Sequence, residues 1–454
     1  MIKRLVSSKA GLELYPLWKA SAFLAMAALV LHFTIVFLIS LIGTLNLLPT
    51  MIDTYGTAKF ITLDAVRYHH DTAQQSRIFI NQGIWDTLVY PTDFHTKVYA
   101  VSFALFDPFS DYNILSAEPA NALIYLLILV LVYQLGREAF DRRVGLLAAC
   151  LVAVWPSFLL HTTQLLKEPQ FVAAMLGLVL VSLSWLSRVH SLLTCLVFAL
   201  LGSLSLIMIW LIRGEVWEVS FLIILIGGCL LLLRQLQEKR LLTYNLLGFA
   251  LLLIFAFCIP RFVSRYSSFE TQTRIEPDAE SANVKPATSW LSMPKRITAV
   301  RQRYINSYPV AGSNVDTNIE LRTMSDMVRY LPRAAIIGFF SPFPDMWFAT
   351  GTLVGRKGRL LSGLETLLMY LVELFAAYGL WCARHRLSAW LLLAASTVGA
   401  VALGLVIINV SIIYRLRYAF WILLIVLGAE GGLKLCQRLF QKCEAKESVA
   451  VSSA

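Results

Sequence analysis

Charge is scarce in this chain. Only 15% of its 454 residues are Asp, Glu, Lys or Arg, against 58% hydrophobic. That excludes a soluble globular protein, because no water-facing surface could be assembled from what remains. Cysteine provides no framework: Cys150, Cys195, Cys229, Cys258, Cys382, Cys436 and Cys443 fall in apolar runs or at ends that read as cytoplasmic, with neither a disulfide pattern nor zinc spacing. No glycine-rich phosphate loop is present, which argues against a soluble nucleotide sugar as ligand. His69, His70 and His95 lack the close spacing of a metal-binding helix, so no metal ligands are assigned and no cofactor is required; whether a divalent ion assists is left open. The net charge of +11 could suggest nucleic acid, but much of the excess lies on cytoplasmic rims, where orientation and anionic lipid account for it. No nucleic-acid partner is expected.

What the chain has instead is long apolar runs. Stretches able to cross a bilayer, roughly 20 residues each, lie near 20–46, 113–135, 144–162, 169–187, 191–211, 218–233, 242–260, 362–382, 388–410 and 418–436. The expectation is an all-α, polytopic membrane protein of about ten transmembrane helices. Lys and Arg recur on alternate sides, at Arg137, Arg142 and Arg143, Arg188, Arg234, Lys239 and Arg240, Arg384 and Arg386, and Lys434 onward. By the positive-inside rule both termini read as cytoplasmic. The first run exceeds a signal-peptide core and lacks a clear cleavage site, so it reads as an anchor.

Two long segments interrupt the spans, both on the non-cytoplasmic side: about 48–111 and about 261–358. They divide the chain into an N-terminal module (1–260), an extracytoplasmic or interfacial region (261–358) and C-terminal helices with a tail (359–454). Within the second segment, Glu270–Pro286 has the composition of a flexible stretch, Gly312-Ser313-Asn314-Val315-Asp316 reads as a turn, and Phe339–Trp347 suits an interfacial element. Chemistry is expected on this outer face, since long charged and aromatic loops are usually functional.

The first loop carries Asp64-Ala65-Val66-Arg67-Tyr68-His69-His70-Asp71. If 64–82 is helical, Asp64, Tyr68 and Asp71 share one face, and a carboxylate with an orienting neighbour can act as a general base. A solvated interfacial helix is the plainer alternative. His95 and Lys97 follow after a Pro turn, where a lysine can meet phosphate as a point charge or snorkel to headgroups. Lys167-Glu168-Pro169 places two opposite charges at the start of a span, where ionisable groups are costly unless paired or used. Arg213 ends another span on the outer side, and Arg415 and Arg417 stand where the positive-inside rule has no use for them. Arginine's planar fork suits phosphate, and Arg417, then Arg415, are the candidate donor ligands. Structural pairing with Glu168 or Asp345 is the alternative.

The order of these features resembles the GT-C superfamily of membrane glycosyltransferases, particularly the protein O-mannosyltransferase and aminoarabinose transferase branch. The resemblance covers roughly the first half: an N-terminal span, an outer loop opening on an Asp-bearing helix, a Pro/Lys stretch, the Arg142-Arg143-Val144-Gly145 turn, Trp155-Pro156-Ser157, and an acid opening the fourth span. It implies a GT-C-like fold with Asp64 as catalytic carboxylate, Glu168 as the acid facing the site, and Lys97 as the family's lysine, although the two prolines that follow that lysine in the family are missing. Tyr68, His69, Asp71, His95, Lys97, Lys167, Arg213, Arg415 and Arg417 are the expected substrate-binding set. The implied reaction is inverting transfer from a polyprenyl-phosphate or diphosphate sugar to an envelope glycan, lipid or protein, in a bacterial inner membrane and among membrane lipids. A polysaccharide polymerase or a lipid-linked sugar flippase is the rival reading.

Overall fold

The computed structural model describes residues 17–62, 64–110, 112–263, 293–307, 311–348 and 355–452; Glu270–Pro286 lies outside them. Among the described residues the architecture is helical, with pairing of extended backbone confined to isolated bridges. Helix α1 (Leu17–Thr44) leads to the first loop, which folds as α2 (Asp64–Gln82), α3 (Ile84–Val89) and α4 (Phe94–Ser110). Gly83 separates α2 from α3 at φ 94°, a conformation that side chains with a Cβ rarely adopt.

A 3₁₀ turn at Ile114–Ala117 opens α5 (Glu118–Ala139). Helix α6 (Arg142–Ala153) starts at Asp141, whose carboxylate caps the Arg143 and Val144 amides at 2.8 and 3.0 Å. It meets α7 (Pro156–Thr162) at a bend of 71°. The run expected to cross straight through at 144–162 is therefore broken, and Pro156 at the head of α7 is the physical reason, since its ring cannot continue the preceding helix.

Eight segments among the described residues are long and apolar enough to cross a membrane, or nine with the bent pair. One of the eight, Leu192–Glu238, is 47 residues long and folds back on itself. Its first half, α9 (Leu192–Arg213), ends with Arg213 on Glu168, the first residue of α8 (Glu168–Ser187). Its second half, α10 (Trp217–Glu238), returns, so that Arg234 donates to the carbonyls of Trp185 and Arg188 at the other end of α8. Helix α11 (Thr243–Phe262) completes this group.

The central segment supplies α12 (Met293–Ser307), α13 (Met324–Phe340) and the short α14 (Pro344–Trp347). The expected turn at 312–316 does more than reverse the chain. Val315 N donates to Ile408 O, and Val410 N donates to Ser313 O, each at 2.9 Å, so the segment pairs with the backbone before α17 (Val410–Leu416). Asp316 fastens it, accepting from Arg333 Nε and Tyr330 Oη at 2.9 Å each, while its carbonyl accepts from Arg301. Burial alone would raise the Asp316 carboxyl; the bonds from Arg333 and Tyr330 bring it below the usual range.

Three further helices close the bundle: α15 (Gly355–Cys382), α16 (Leu387–Val406) and α18 (Tyr418–Ser452). One apolar cluster runs from Ala28 to Ala429 and so crosses every boundary drawn from composition. Helices α15 and α18 run parallel: Glu365, about 15 Å into α15, and Tyr418, at the head of α18, both approach Ser157, and Gly379 and Gly431 meet further along. A Cβ on Gly379 would stand 2.2 Å from Leu427 O, and one on Gly431 2.0 Å from Phe375 O. Helix axes this close need small residues at the crossing. Gly379→Ala or Gly431→Ala should lower stability by roughly 1–3 kcal/mol, the usual effect of overpacking; a thermal midpoint in detergent that matches the unaltered protein would contradict this packing.

Candidate active site

Asp64 begins α2, where the preceding Thr62 hydroxyl accepts from the Asp64 amide and donates to its carboxylate, both at 3.2 Å. Glu168 begins α8 immediately before Pro169, a residue suited to the first turn of a helix. These two acids lie 104 positions apart by residue number. They are joined by a residue still more remote: Arg415 Nη2 lies 3.4 Å from Asp64 Oδ2, and Arg415 Nη1 lies 3.7 Å from Glu168 Oε1. The same Glu168 oxygen accepts from Arg213 Nη2 at 2.8 Å.

The fork of Arg415 is thus divided between a half-open carboxylate and a buried one. Side-chain exposure is 35% for Asp64, against 5% for Glu168 and 12% for Arg415. Lys167 adds a further cation, its Nζ 5.7 Å from the centre of the Tyr68 ring. His95 meets the same ring edge-on at 4.2 Å. Burial pushes the His95 imidazole down to about 3. Asp71, further along α2, is raised by burial, with Arg67 opposing that effect. An open groove of about 490 Å³ runs along this face of α2, lined by His70, Asp71, Gln74, Arg77, Ile78 and Asn81. At 1.5 Å per residue, Asp71 is about 10 Å along the helix from Asp64.

Asp64, Tyr68, His95, Lys167, Glu168, Arg213 and Arg415 are therefore brought together, and four other sequence candidates are not: Asp71, further along α2, and Arg417, Lys97 and His69. Arg417, expected to be the leading donor ligand, is 2% exposed, and its guanidinium donates to the carbonyls of Phe339 and Ser341 and packs over the Tyr414 ring at 4.7 Å. It pairs with neither Glu168 nor Asp345; it fastens α13 to the head of α18. Lys97 donates to Leu88 O, and burial lowers its ammonium. His69 donates from Nε2 to Tyr112 O at 2.6 Å and is held between the Tyr55 and Phe103 rings, a structural pin. Sequence reasoning could not see that these donors are consumed, because the acceptors are main-chain carbonyls remote in the chain.

It also missed a second buried polar group. Glu365 on α15 accepts from Ser157 at the bend, and Ser157 in turn bonds the Tyr418 hydroxyl and lies 3.4 Å from that of Tyr414. His32, in the first span, bonds Glu118 at 2.9 Å and Thr162 at 3.2 Å. A lone acid or histidine within an apolar run was the available signal. Among the described residues no group of three His, Cys, Asp or Glu side chains is placed to hold a metal ion.

No family model matches the chain, and no curated protein matches it. Solved structures do, two of them as follows. The likeness is to archaeal oligosaccharyltransferases. One is AglB from Archaeoglobus fulgidus in complex with an inhibitory peptide and a dolichol-phosphate, at 15% identity and TM-score 0.43, over 93% of this chain and 52% of that one. The other is the Archaeoglobus fulgidus oligosaccharyltransferase in the apo form, at 14% identity and TM-score 0.48, over 96% and 52%. The chain spans about half the length of these structures.

Because His95 is buried neutral, its titration has a defined sign. The unfolded chain takes up this proton near pH 6.5, the folded protein only near 3. The stability it contributes is complete above about 6.5 and is lost as pH falls from there toward 3. His95→Gln should flatten that acid-side loss, seen as a shallower decline of the thermal midpoint between about pH 7 and 4. An unchanged slope would place the responsible proton elsewhere.

Proposed function

We propose that this chain is a membrane glycosyltransferase of GT-C type that moves a sugar from a polyprenyl-phosphate or diphosphate donor to a hydroxyl-bearing glycan, lipid or protein acceptor. The observation that carries the reading is the division of the Arg415 fork between Asp64 and Glu168, with Arg213 on the second acid. A carboxylate that is a third exposed can reach an acceptor hydroxyl, and guanidinium groups beside it can meet phosphate oxygens.

In this mechanism Asp64 takes the acceptor proton as the acceptor oxygen bonds to the anomeric carbon. The bond from that carbon to the donor phosphate oxygen breaks, and the phosphate leaves with the electron pair, needing no proton from the enzyme. Arg415 and Lys167 offset its charge, and Glu168 holds Arg213 and Arg415 in place. Attack opposite the leaving group inverts the configuration. The reaction calls for no cofactor. Arg417 takes no part, its guanidinium being buried and bonded to the carbonyls of Phe339 and Ser341, and Lys97 is turned to Leu88 O.

One observation favours the rival of a lipid-linked sugar transporter. Glu365 and Glu373 lie about 15 and about 27 Å along α15 from Gly355, inside the span rather than at its end. Charge set inside a span is what a translocation route requires. Glu365 is engaged by Ser157, however, which ties it to the bend ahead of Glu168 and suits a fixed site.

With the protein in lipid and a polyprenyl-phosphate sugar as donor, Asp64→Asn should reduce transfer by about 10²–10⁴-fold while leaving membrane insertion intact. Donor binding without turnover in the unaltered protein would favour the transporter. Arg415→Lys should raise the donor KM by roughly tenfold, about 1.4 kcal/mol, and leave the acceptor KM within about twofold, because a point charge replaces the fork. Equal losses toward both substrates would make Arg415 structural.

A further inference from the structure

The first loop carries apolar side chains where a water-facing loop would not. On α3, Trp85 is 77% exposed and Val89 84%, and Ile84, Leu88 and the neighbouring Ile80 are exposed as well. None lies in a candidate span. Leu105 on α4 and Leu45, Leu47 and Leu48 just beyond α1 are exposed too. Exposed apolar side chains gathered on one short helix, as on α3, mark a contact with lipid or with another protein.

The depth of α3 decides between these. At its start, α4 is held at the level where α8 begins: His95 meets the Tyr68 ring, and Lys167, the residue before Glu168, stands over the same ring. A few residues on, Tyr99 donates to Asn121 at 2.8 Å and Ser102 donates to Ser116 O at 2.6 Å, both at the head of the span Ile114–Ala139. Helix α4 is thus laid across the heads of two spans. Lys97, one turn into α4, donates to Leu88 O and so fixes the end of α3 beside it. The exposed apolar side chains of α3 are therefore at the membrane boundary, where an indole ring is favoured because one side can be apolar and the other wet.

We infer that α3 is embedded in the leaflet on the Asp64 side, with Trp85, Leu88 and Val89 among the lipid acyl chains and Lys97 as the strut that holds it there. The partner is bilayer lipid. Lys97 then has a structural role, holding the loop that carries Asp64 at a fixed height over the membrane. This does not depend on sugar transfer and survives if that reading fails.

The test is collisional quenching of tryptophan in nanodiscs of phosphatidylcholine, with the unaltered protein compared with Trp85→Phe, which keeps an aromatic ring at the position. The difference between the two spectra is the Trp85 component. Replacing the lipid with phosphatidylcholine brominated on the upper acyl chain should remove at least half of that component, and aqueous iodide should leave it intact. Quenching by iodide and not by brominated lipid would overturn the inference by placing α3 in water. Protection from both would overturn it by showing that protein covers the helix. In the Lys97→Met protein, a Trp85 component newly reached by iodide is expected; one still quenched only by lipid would remove the strut from the proposal.

Discussion

The structure turns on one guanidinium. Arg415 is nearly buried, and an arginine cannot shed its charge at any working pH, so the fold must supply carboxylates for it. It finds two, from the start of the first-loop helix and from the head of a span. Each acid is itself fixed by its own helix terminus, and Glu168 is shared with Arg213. The loop, the spans and the short helix before the last span are thereby referred to one point, and any displacement among them would leave a buried charge unpaired.

The devices around that point serve the same end. Asn409 caps the helix that carries Arg415 and also bonds Asn314, so the central segment sets the approach of Arg415 from one side. Arg417 sets it from the other by engaging the carbonyls of Phe339 and Ser341. On the first-loop side, Gln164 accepts from the Ala58 amide at 2.9 Å and Tyr99 reaches Asn121, so the chain on both sides of Asp64 is bonded to the segments that precede and follow the bent helix pair. The bend at Pro156 redirects the chain so that Glu168 starts its own helix at this level. The proposed transfer reaction would need this arrangement, a base open to an acceptor and cations fixed beside it before the phosphate arrives.

Much of this was legible in the sequence because the bilayer imposes simple rules. Scarce charge and apolar runs of the right length are sufficient to specify membrane-spanning helices, and an acid beside Pro at the head of such a run, or an arginine on the face where orientation does not call for it, stands out against that background. Glu168, Arg213 and Arg415 are visible as unusual residues for that reason, whereas Asp64 is singled out by the face it shares on an expected helix and by the family resemblance.

What the sequence determined by itself was therefore the helical, membrane-spanning class and the short list of polar residues that had to be accounted for. Which of them belong together was decided only by the tertiary structure. Arg415 and Arg417 are two residues apart and chemically identical, yet one faces two carboxylates and the other is spent on backbone carbonyls. Lys97 likewise donates to a main-chain carbonyl, that of Leu88. The physical reason is that hydrogen-bond acceptors on the main chain are present at every residue and carry no sequence signature, so only the folded arrangement tells a side chain committed to the fold from one available for chemistry.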